Sequence, residues 1–184
     1  MTRILAITNQ KGGVGKTTTA IKDRDAVVVH HLLDSLAILP WIVGARVLDI
    51  GSGGGFPGLP LAIARPDIQV QLLDSRGRRV AFLRHVITTL GVTNADVIST
   101  RVEDYRPAEK FDTLVCRAFA SLADIVALTA SLQQPATRLL AMKGKSVFEE
   151  LAALPPAWRT RVDVTEVSVP LLEAERYVAV IQFD

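Results

Sequence analysis

The chain has 184 residues, of which 49% are hydrophobic and 22% are charged, and its formal net charge is +2. This length fits one domain with a sizeable core, and the composition excludes extensive disorder. No apolar run reaches a membrane-spanning length, and the single cysteine, Cys116, excludes an internal disulfide and a cysteine-based metal cluster. We therefore expect a cytoplasmic protein that does not associate with membranes and whose mild positive charge permits a local nucleic-acid-binding patch.

The first 21 residues predict a strand followed by a glycine-rich loop. The strand covers residues 3–10, and the loop is Lys-Gly-Gly-Val-Gly-Lys-Thr-Thr at residues 11–18. This loop resembles the deviant Walker A motif of the ParA/Soj partition ATPases, in which a second lysine precedes the glycines. That resemblance implies that the loop binds phosphate groups, at most those of a weakly held nucleotide. The implied phosphate-binding residues are Lys11, Gly13, Gly15, Lys16 and Thr17.

The partners that a working ATPase of this kind needs are not found further along the sequence. No Asp-x-Asp-Pro strand end and no switch segment follow the loop. The nearest substitute carboxylate, Asp74, fits another role better. Incidental anion binding is therefore favoured over ATP hydrolysis, although a nucleotide-binding partition protein stays an alternative.

A helix is predicted next, over residues 25–39, because apolar residues recur there at helical spacing and Pro40 follows. It carries His30 and His31, one of which should face the core and form a hydrogen bond. No third ligand stands at a suitable spacing, so no metal site is predicted.

The chain is organised around the segment Val-Leu-Asp-Ile-Gly-Ser-Gly-Gly-Gly-Phe-Pro-Gly at residues 47–58. A short apolar run ends in an acidic residue, glycines follow at alternate positions, and a helix should begin near Pro57. Glycine is required where the backbone takes positive φ or lets a ligand approach closely. The first amides of the following helix then point at that ligand.

This order, Asp-x-Gly-x-Gly-x-Gly, differs from the Gly-x-Gly-x-x-Gly dinucleotide fingerprint. It resembles motif I of the class I S-adenosylmethionine-dependent methyltransferases. A second acidic residue is expected about 20 residues further on to accept ribose hydroxyls, and Asp74 ends the next predicted strand, residues 70–74. S-adenosyl-L-methionine is therefore the predicted cofactor, and a dehydrogenase-like or purely structural turn is the alternative.

The remaining chain alternates helices and strands. The pattern predicts helices over residues 76–90, 122–132 and 147–154 and strands over residues 95–100, 111–116 and 137–142, with Gly91 as a helix C-cap. Two final apolar alternations, residues 162–169 and 177–183, predict an antiparallel pair joined by a short connection. The predicted fold class is α/β: a Rossmann-like class I methyltransferase whose mostly parallel sheet ends in an antiparallel strand.

Four segments occur in one order: His-His-Leu-Leu-Asp-Ser-Leu, the glycine loop, Leu-Leu-Asp-Ser-x-Gly-x-Arg and Arg-Ala-Phe-Ala. Together they resemble the RsmG/GidB family, bacterial enzymes that methylate N7 of a guanine in 16S ribosomal RNA. The resemblance covers residues 22–184, which are predicted to form the methyltransferase domain after a ParA-like segment at residues 1–21. Family members begin with a longer helical segment, so the chain resembles a chimera or fusion, and an inactive chimera that keeps the fold is an alternative.

The resemblance also implies the partners and the site. The expected partner is 16S rRNA or the small ribosomal subunit, bound by a monomer. Arg117 is the predicted catalytic residue, ordering the transfer geometry or the guanine, with a purely supporting ion pair as its alternative. The implied cofactor-binding residues are Asp49, Gly51, Gly53, Gly55, Phe56, Asp74, Val102, Glu103 and Arg117; for Phe56, core packing is nearly as favoured.

Methyl transfer from a sulfonium to N7 is an in-line displacement that needs no general base, so catalysis should depend on positioning and electrostatics. The sequence has no Asn/Asp-Pro-Pro-aromatic motif and no Pro-Cys nucleophile, and Cys116 is interpreted as a buried structural thiol. A basic patch for RNA phosphates is predicted from Arg76, Arg78, Arg79, Arg84, Lys143 and Lys145.

Overall fold

Seven strands form one sheet in a computed structural model that describes residues 24–183. The strand order is β3-β2-β1-β4-β5-β7-β6; β1 to β5 are parallel, and β7 pairs antiparallel with both β5 and β6. The strands are β1 (Arg46–Ile50), β2 (Gln69–Asp74), β3 (Ala95–Ser99), β4 (Thr113–Arg117), β5 (Arg138–Lys143), β6 (Val162–Glu166) and β7 (Tyr177–Gln182).

Within residues 24–183, six helical elements connect or precede these strands. The first, α1 (residues 24–36), contains the π-helical stretch Val28–Leu33 between the α-helical pieces Arg24–Val27 and Asp34–Leu36. The others are α2 (Gly58–Ala64), α3 (Gly77–Leu90), α4 (Leu122–Leu128), α5 (Val147–Ala153) and α6 (Pro156–Arg159). Short 3-10 turns lie at Leu39–Trp41, Val102–Asp104 and Ala130–Leu132.

The sheet is covered on both faces, as the continuous apolar runs of its parallel strands require. Leu59 of α2 and Leu83 of α3 pack in one buried cluster, together with Ile38 after α1. Leu122 of α4 and Val147 of α5 pack in a second cluster. The carboxyl ends of β1, β2, β4 and β5 therefore open at one edge between the two helical layers, where ligands bind in folds of this type.

The predicted fold class is confirmed, including the closing antiparallel pair. The predicted helix over residues 25–39 ends earlier, at Leu36, and is followed by the 3-10 turn that contains Pro40, because proline lacks the amide that would continue the helix. The predicted helix over residues 122–132 likewise changes to a 3-10 turn after Leu128. Helix α6 was not predicted, since four residues carry no helical period.

The predicted strand and P-loop at residues 1–21 lie outside the described residues. Within residues 24–183, no helix combines the length and apolar character needed to cross a membrane.

Candidate active site

The loop after β1 adopts the backbone conformation that its glycines predict. Gly51, Gly53 and Gly55 have φ values of +70°, +55° and +91°. The amides of Gly51 and Ser52 both donate to the Leu73 carbonyl of β2, at 2.8 and 3.1 Å. A side chain at Gly51 would place its Cβ 2.5 Å from Cδ2 of Phe119. Only glycine therefore leaves open the space between the loop backbone and Phe119, which we call the cradle.

Asp49 supports this loop from beneath. Its side chain is fully buried, Oδ2 accepts a hydrogen bond from the Gly58 amide at 2.9 Å, and Oδ1 has no partner among the described residues. Burial raises the pKa of Asp49 to about 7, against the opposing effect of the Gly58 amide. Asp49 lines neither cavity described below, and its implied role in cofactor binding stays a prediction.

Asp74 ties the loop to the next strand. Its Oδ2 accepts from the Gly53 amide at 3.0 Å and from Arg79 Nη1 at 3.3 Å, and its Oδ1 accepts from the Arg76 amide at 2.8 Å. Asp74 is 3% exposed and borders the smaller cavity. These three contacts fix the orientation of Asp74, and its role as an acceptor for the ligand stays a prediction.

Two cavities meet at the carboxyl ends of the strands. The larger has a volume of about 590 Å³ and the smaller about 500 Å³, and both are lined by Gly51, Arg79 and Ala118. Ala118 has a φ of +49°, and such strained backbone is concentrated at functional sites. Of the predicted cofactor residues, the smaller cavity holds Asp74, Val102 and Glu103, the larger holds Gly53, Phe56 and Arg117, and Gly55 lines neither.

Arg117 joins β4 to helix α1 at the larger cavity. Its Nη1 donates to the His30 carbonyl and to Asp34 Oδ2, each at 3.1 Å, while Nη2 lies 3.1 Å from His31 Nδ1. Its Cζ lies 5.2 Å from the centre of the Phe56 ring. Arg117 therefore lines the cavity and also forms a supporting ion pair, and its catalytic role stays a prediction.

Two further residues complete this cluster and were missed by the sequence analysis. Asp34 is 4% exposed and accepts from Arg176 Nε at 3.0 Å on the oxygen that Arg117 leaves free. The only signal for Asp34 was its place in the family-like His-His-Leu-Leu-Asp-Ser-Leu segment, and Arg176 had none.

His31 is the histidine that faces the core, as predicted for one of the pair, and His30 is exposed. The His31 ring stacks on Phe56 with centroids 4.9 Å apart. Because a guanidinium only donates, Nδ1 must accept from Arg117, which leaves the proton on Nε2. Burial and then the Arg117 charge lower the pKa of His31 to about 4, so the ring is neutral near pH 7.

The lowered pKa of His31 predicts a pH-dependent stability. The unfolded chain protonates His31 near pH 6.5 and the folded chain only near pH 4, so its contribution is complete above pH 6.5 and is lost as the pH falls toward 4. In urea unfolding, His31→Gln should remove a dependence of up to about 3 kcal/mol across that window. The exposed His85 provides the control: His85→Gln should keep the wild-type slope, and an equal slope in His31→Gln would contradict the prediction.

The predicted basic patch is only partly available for RNA. Arg76, Arg78 and Arg84 are exposed on or just before α3. The other three are paired: Arg79 with Asp74 at 3.3 Å, Lys143 with Glu150 at 2.7 Å and Lys145 with Glu175 at 2.9 Å.

The structure also confirms Cys116 as a buried residue, where burial raises the pKa of its thiol to about 12.

Comparison with known proteins assigns the family. The profile of GidB, rRNA small subunit methyltransferase G, matches residues 3–178. The chain belongs to the GidB family. Its family relatives include ribosomal RNA small subunit methyltransferase G of Chromobacterium violaceum, 47% identical over 161 residues, which are 87% of this chain and 77% of that protein. The protein of the same name from Nitrosococcus oceani is 46% identical over 87% of this chain and 74% of its own length.

Solved structures similar to this GidB family member support the fold alone. TrmN from Thermus thermophilus has a TM-score of 0.60 at 19% identity, covering 81% of this chain and 47% of TrmN. The precorrin-6y C5,15-methyltransferase from Geobacter metallireducens has a TM-score of 0.62 at 10% identity, covering 98% of both chains. What their names say of substrate and reaction applies to those two proteins, which share a fold with this chain.

The GidB match begins at residue 3 and so includes the segment that resembles a P-loop. The interpretation of that segment as a foreign ATPase piece gains no support from the match. Lys11, Gly13, Gly15, Lys16 and Thr17 lie outside the described residues, and their phosphate binding stays a prediction.

Proposed function

We propose that this chain transfers the methyl group of S-adenosyl-L-methionine to N7 of a guanine in 16S ribosomal RNA. The observation that carries the proposal is the pair of joined cavities at the carboxyl ends of β1, β2, β4 and β5, in a chain of the GidB family. Two adjacent compartments fit a reaction that brings a cofactor and a base together.

The residues present fit the cofactor. The smaller cavity, with Asp74 and Glu103 as acceptors beside the apolar Val102, suits an adenosine group. The cradle at Gly51, which a single Cβ would fill, lets a ligand pass from that cavity into the larger one. When bound, S-adenosylmethionine supplies an electrophilic methyl group on a sulfonium.

The side chains of this protein orient the two reactants and do not offer a covalent route for the methyl group. N7 of guanine attacks through its lone pair, so no side chain has to remove a proton. Arg117 is held by Asp34, His30 and Phe56, and its fixed positive charge would meet the O6 acceptor of a guanine in the larger cavity. A covalent route through Cys116 does not fit a buried thiol whose pKa is raised to about 12.

Transfer of a labelled methyl group tests the proposal directly. We expect the protein to label unmodified 16S rRNA, the assembled small subunit or both, and to form 7-methylguanosine, which chain cleavage at the modified base would locate. Cys116→Ala should retain this transfer, since the thiol does not reach either cavity. Absence of label from both substrates, with cofactor binding intact, would contradict the proposed function.

Calorimetric titration separates the two nucleotide-like ligands. S-adenosylmethionine should bind, and Asp74→Ala should weaken it, because the carboxylate both lines the smaller cavity and holds the loop amide of Gly53. Magnesium-ATP should give no heat that depends on Lys16. Heat abolished by Lys16→Ala, without a response to S-adenosylmethionine, would support the partition-protein alternative instead.

A further inference from the structure

Among the described residues, two carboxylates line the larger cavity, and they differ in how many further hydrogen bonds their oxygens can accept. Asp34 accepts from an arginine on each oxygen. Glu150 uses Oε2 to accept from Lys143 Nζ at 2.7 Å and from the Leu122 amide at 2.8 Å. Its Oε1 accepts only from Ser146 Oγ among the described residues, at 3.3 Å, which is long for a hydroxyl donor. Glu150 Oε1 therefore keeps acceptor capacity beside the cavity.

Glu150 is also held rigidly by its contact with Lys143. The Lys143 side chain is 10% exposed and also donates to the Ala120 carbonyl, so the pair is anchored to β5 and to the chain leading into α4. The Glu150 side chain is 20% exposed, which leaves it in reach of a molecule in the cavity. A fixed carboxylate with spare lone pairs is a preorganised acceptor.

The strand order sets the width of the space in front of Glu150. Gly51 follows β1, Gly144 follows β5, and β4 lies between these strands. Neighbouring strands are about 4.8 Å apart, so the glycine loop and the segment leading into α5 are separated by roughly 10 Å. The larger cavity, with a volume of about 590 Å³, lies between these two walls.

We propose that Glu150 selects guanine by accepting hydrogen bonds on Oε1 from its N1–H and 2-amino group, which replace the long contact from Ser146 Oγ. This inference rests on the proposed function and names the residue that would give it base specificity. Guanine is the base with two adjacent donors on its Watson–Crick edge, whereas adenine and cytosine place a ring acceptor there and uracil one donor between carbonyls. A carboxylate therefore attracts guanine and repels the acceptors of the other bases.

The same contact would orient the base for the reaction. With its Watson–Crick edge on Glu150, a guanine turns its N7 edge toward the opposite wall, which is the loop containing Gly51 and Gly53. Base selection and presentation of N7 then follow from one contact.

Replacing the target guanosine by inosine tests this contact, because inosine keeps N1–H and lacks only the 2-amino group. The rRNA would be assembled by ligation with either nucleoside at the methylated position. For the wild type we expect kcat/KM to fall roughly 10- to 100-fold with inosine, the effect of one hydrogen bond to a charged acceptor. For Glu150→Gln we expect the guanosine rate to fall and the guanosine-to-inosine ratio to approach one.

Glu149→Gln is the matched control, since Glu149 is the exposed neighbour on the same helix and lies outside the cavity lining. It should keep the wild-type ratio. Equal rates on guanosine and inosine by the wild type would overturn the inference, whether or not Glu150→Gln folds, and so would a wild-type ratio in a Glu150→Gln protein that binds S-adenosylmethionine. Failure of the wild type to methylate even the guanosine rRNA would instead overturn the proposed function.

Discussion

Gly51→Ala is expected to lower the affinity for S-adenosylmethionine by about 5- to 150-fold, or roughly 1–3 kcal/mol, because the loop backbone and Phe119 have to shift out of the positions that fit the ligand. Gly51 has a φ of +70°, and an added Cβ would lie 2.5 Å from Cδ2 of Phe119. Phe119 lines the smaller cavity, so the ring would be displaced within the space proposed for adenosine. Calorimetric titration measures the effect.

Gly77→Ala is the matched control for that measurement. Gly77 begins α3, its φ is not positive, and a Cβ there would have nothing within 4 Å. We expect its affinity and thermal midpoint to match the wild type. If Gly51→Ala also bound the cofactor as tightly as the wild type, the cradle would not contact the ligand.

Asp34→Ala is expected to destabilise the folded state by about 3–5 kcal/mol, because it leaves two arginines at a buried position without their shared carboxylate. Asp34 is 5% exposed as a side chain, while Arg117 is 17% and Arg176 is 28% exposed. The cost should lie toward the lower end, since Arg176 can turn toward water. The free energy of urea unfolding measures it.

Asp67→Ala provides the comparison, since the Asp67–Arg65 pair is also bidentate but lies at the surface. Exposed pairs contribute little to stability, so this variant should unfold at the wild-type urea concentration. Similar stabilities of the Asp34 and Asp67 variants would show that the buried cluster does not hold α1 in place. A double variant with Arg117→Ala should lose less than the sum of the single losses.

The elements that form the proposed cofactor site were predictable because their signals are local. Positive φ at Gly51 and Gly53 follows from the glycine spacing, and Asp74 follows from its place at the next strand end. The direction of Asp49 was not predictable, since the acid that ends β1 could face the ligand or the helix amide behind the loop, and it faces the Gly58 amide.

Three residues in the wall of the larger cavity, Asp34, Glu150 and Arg176, were missed for a different physical reason. Asp34 meets Arg117 across 83 residues and Arg176 across 142 residues, and no sequence period links such positions. The Lys143–Glu150 pair is closer in sequence, but which of the neighbouring glutamates turns inward depends on the packing of α5 against α4. From the sequence alone, charged side chains of this kind are expected at the surface, because only the fold places their partners next to them.

The span of the Asp34 contacts also sets the order in which the cavity is completed during synthesis. Asp34 is made early, but its second partner, Arg176, immediately precedes β7, the last strand of the sheet. Contacts separated by so many residues form late, because the intervening chain has to close into a loop first. A growing chain that already contains the glycine loop and Asp74 would thus form the contact between them before Arg176 fastens the opposite wall of the larger cavity.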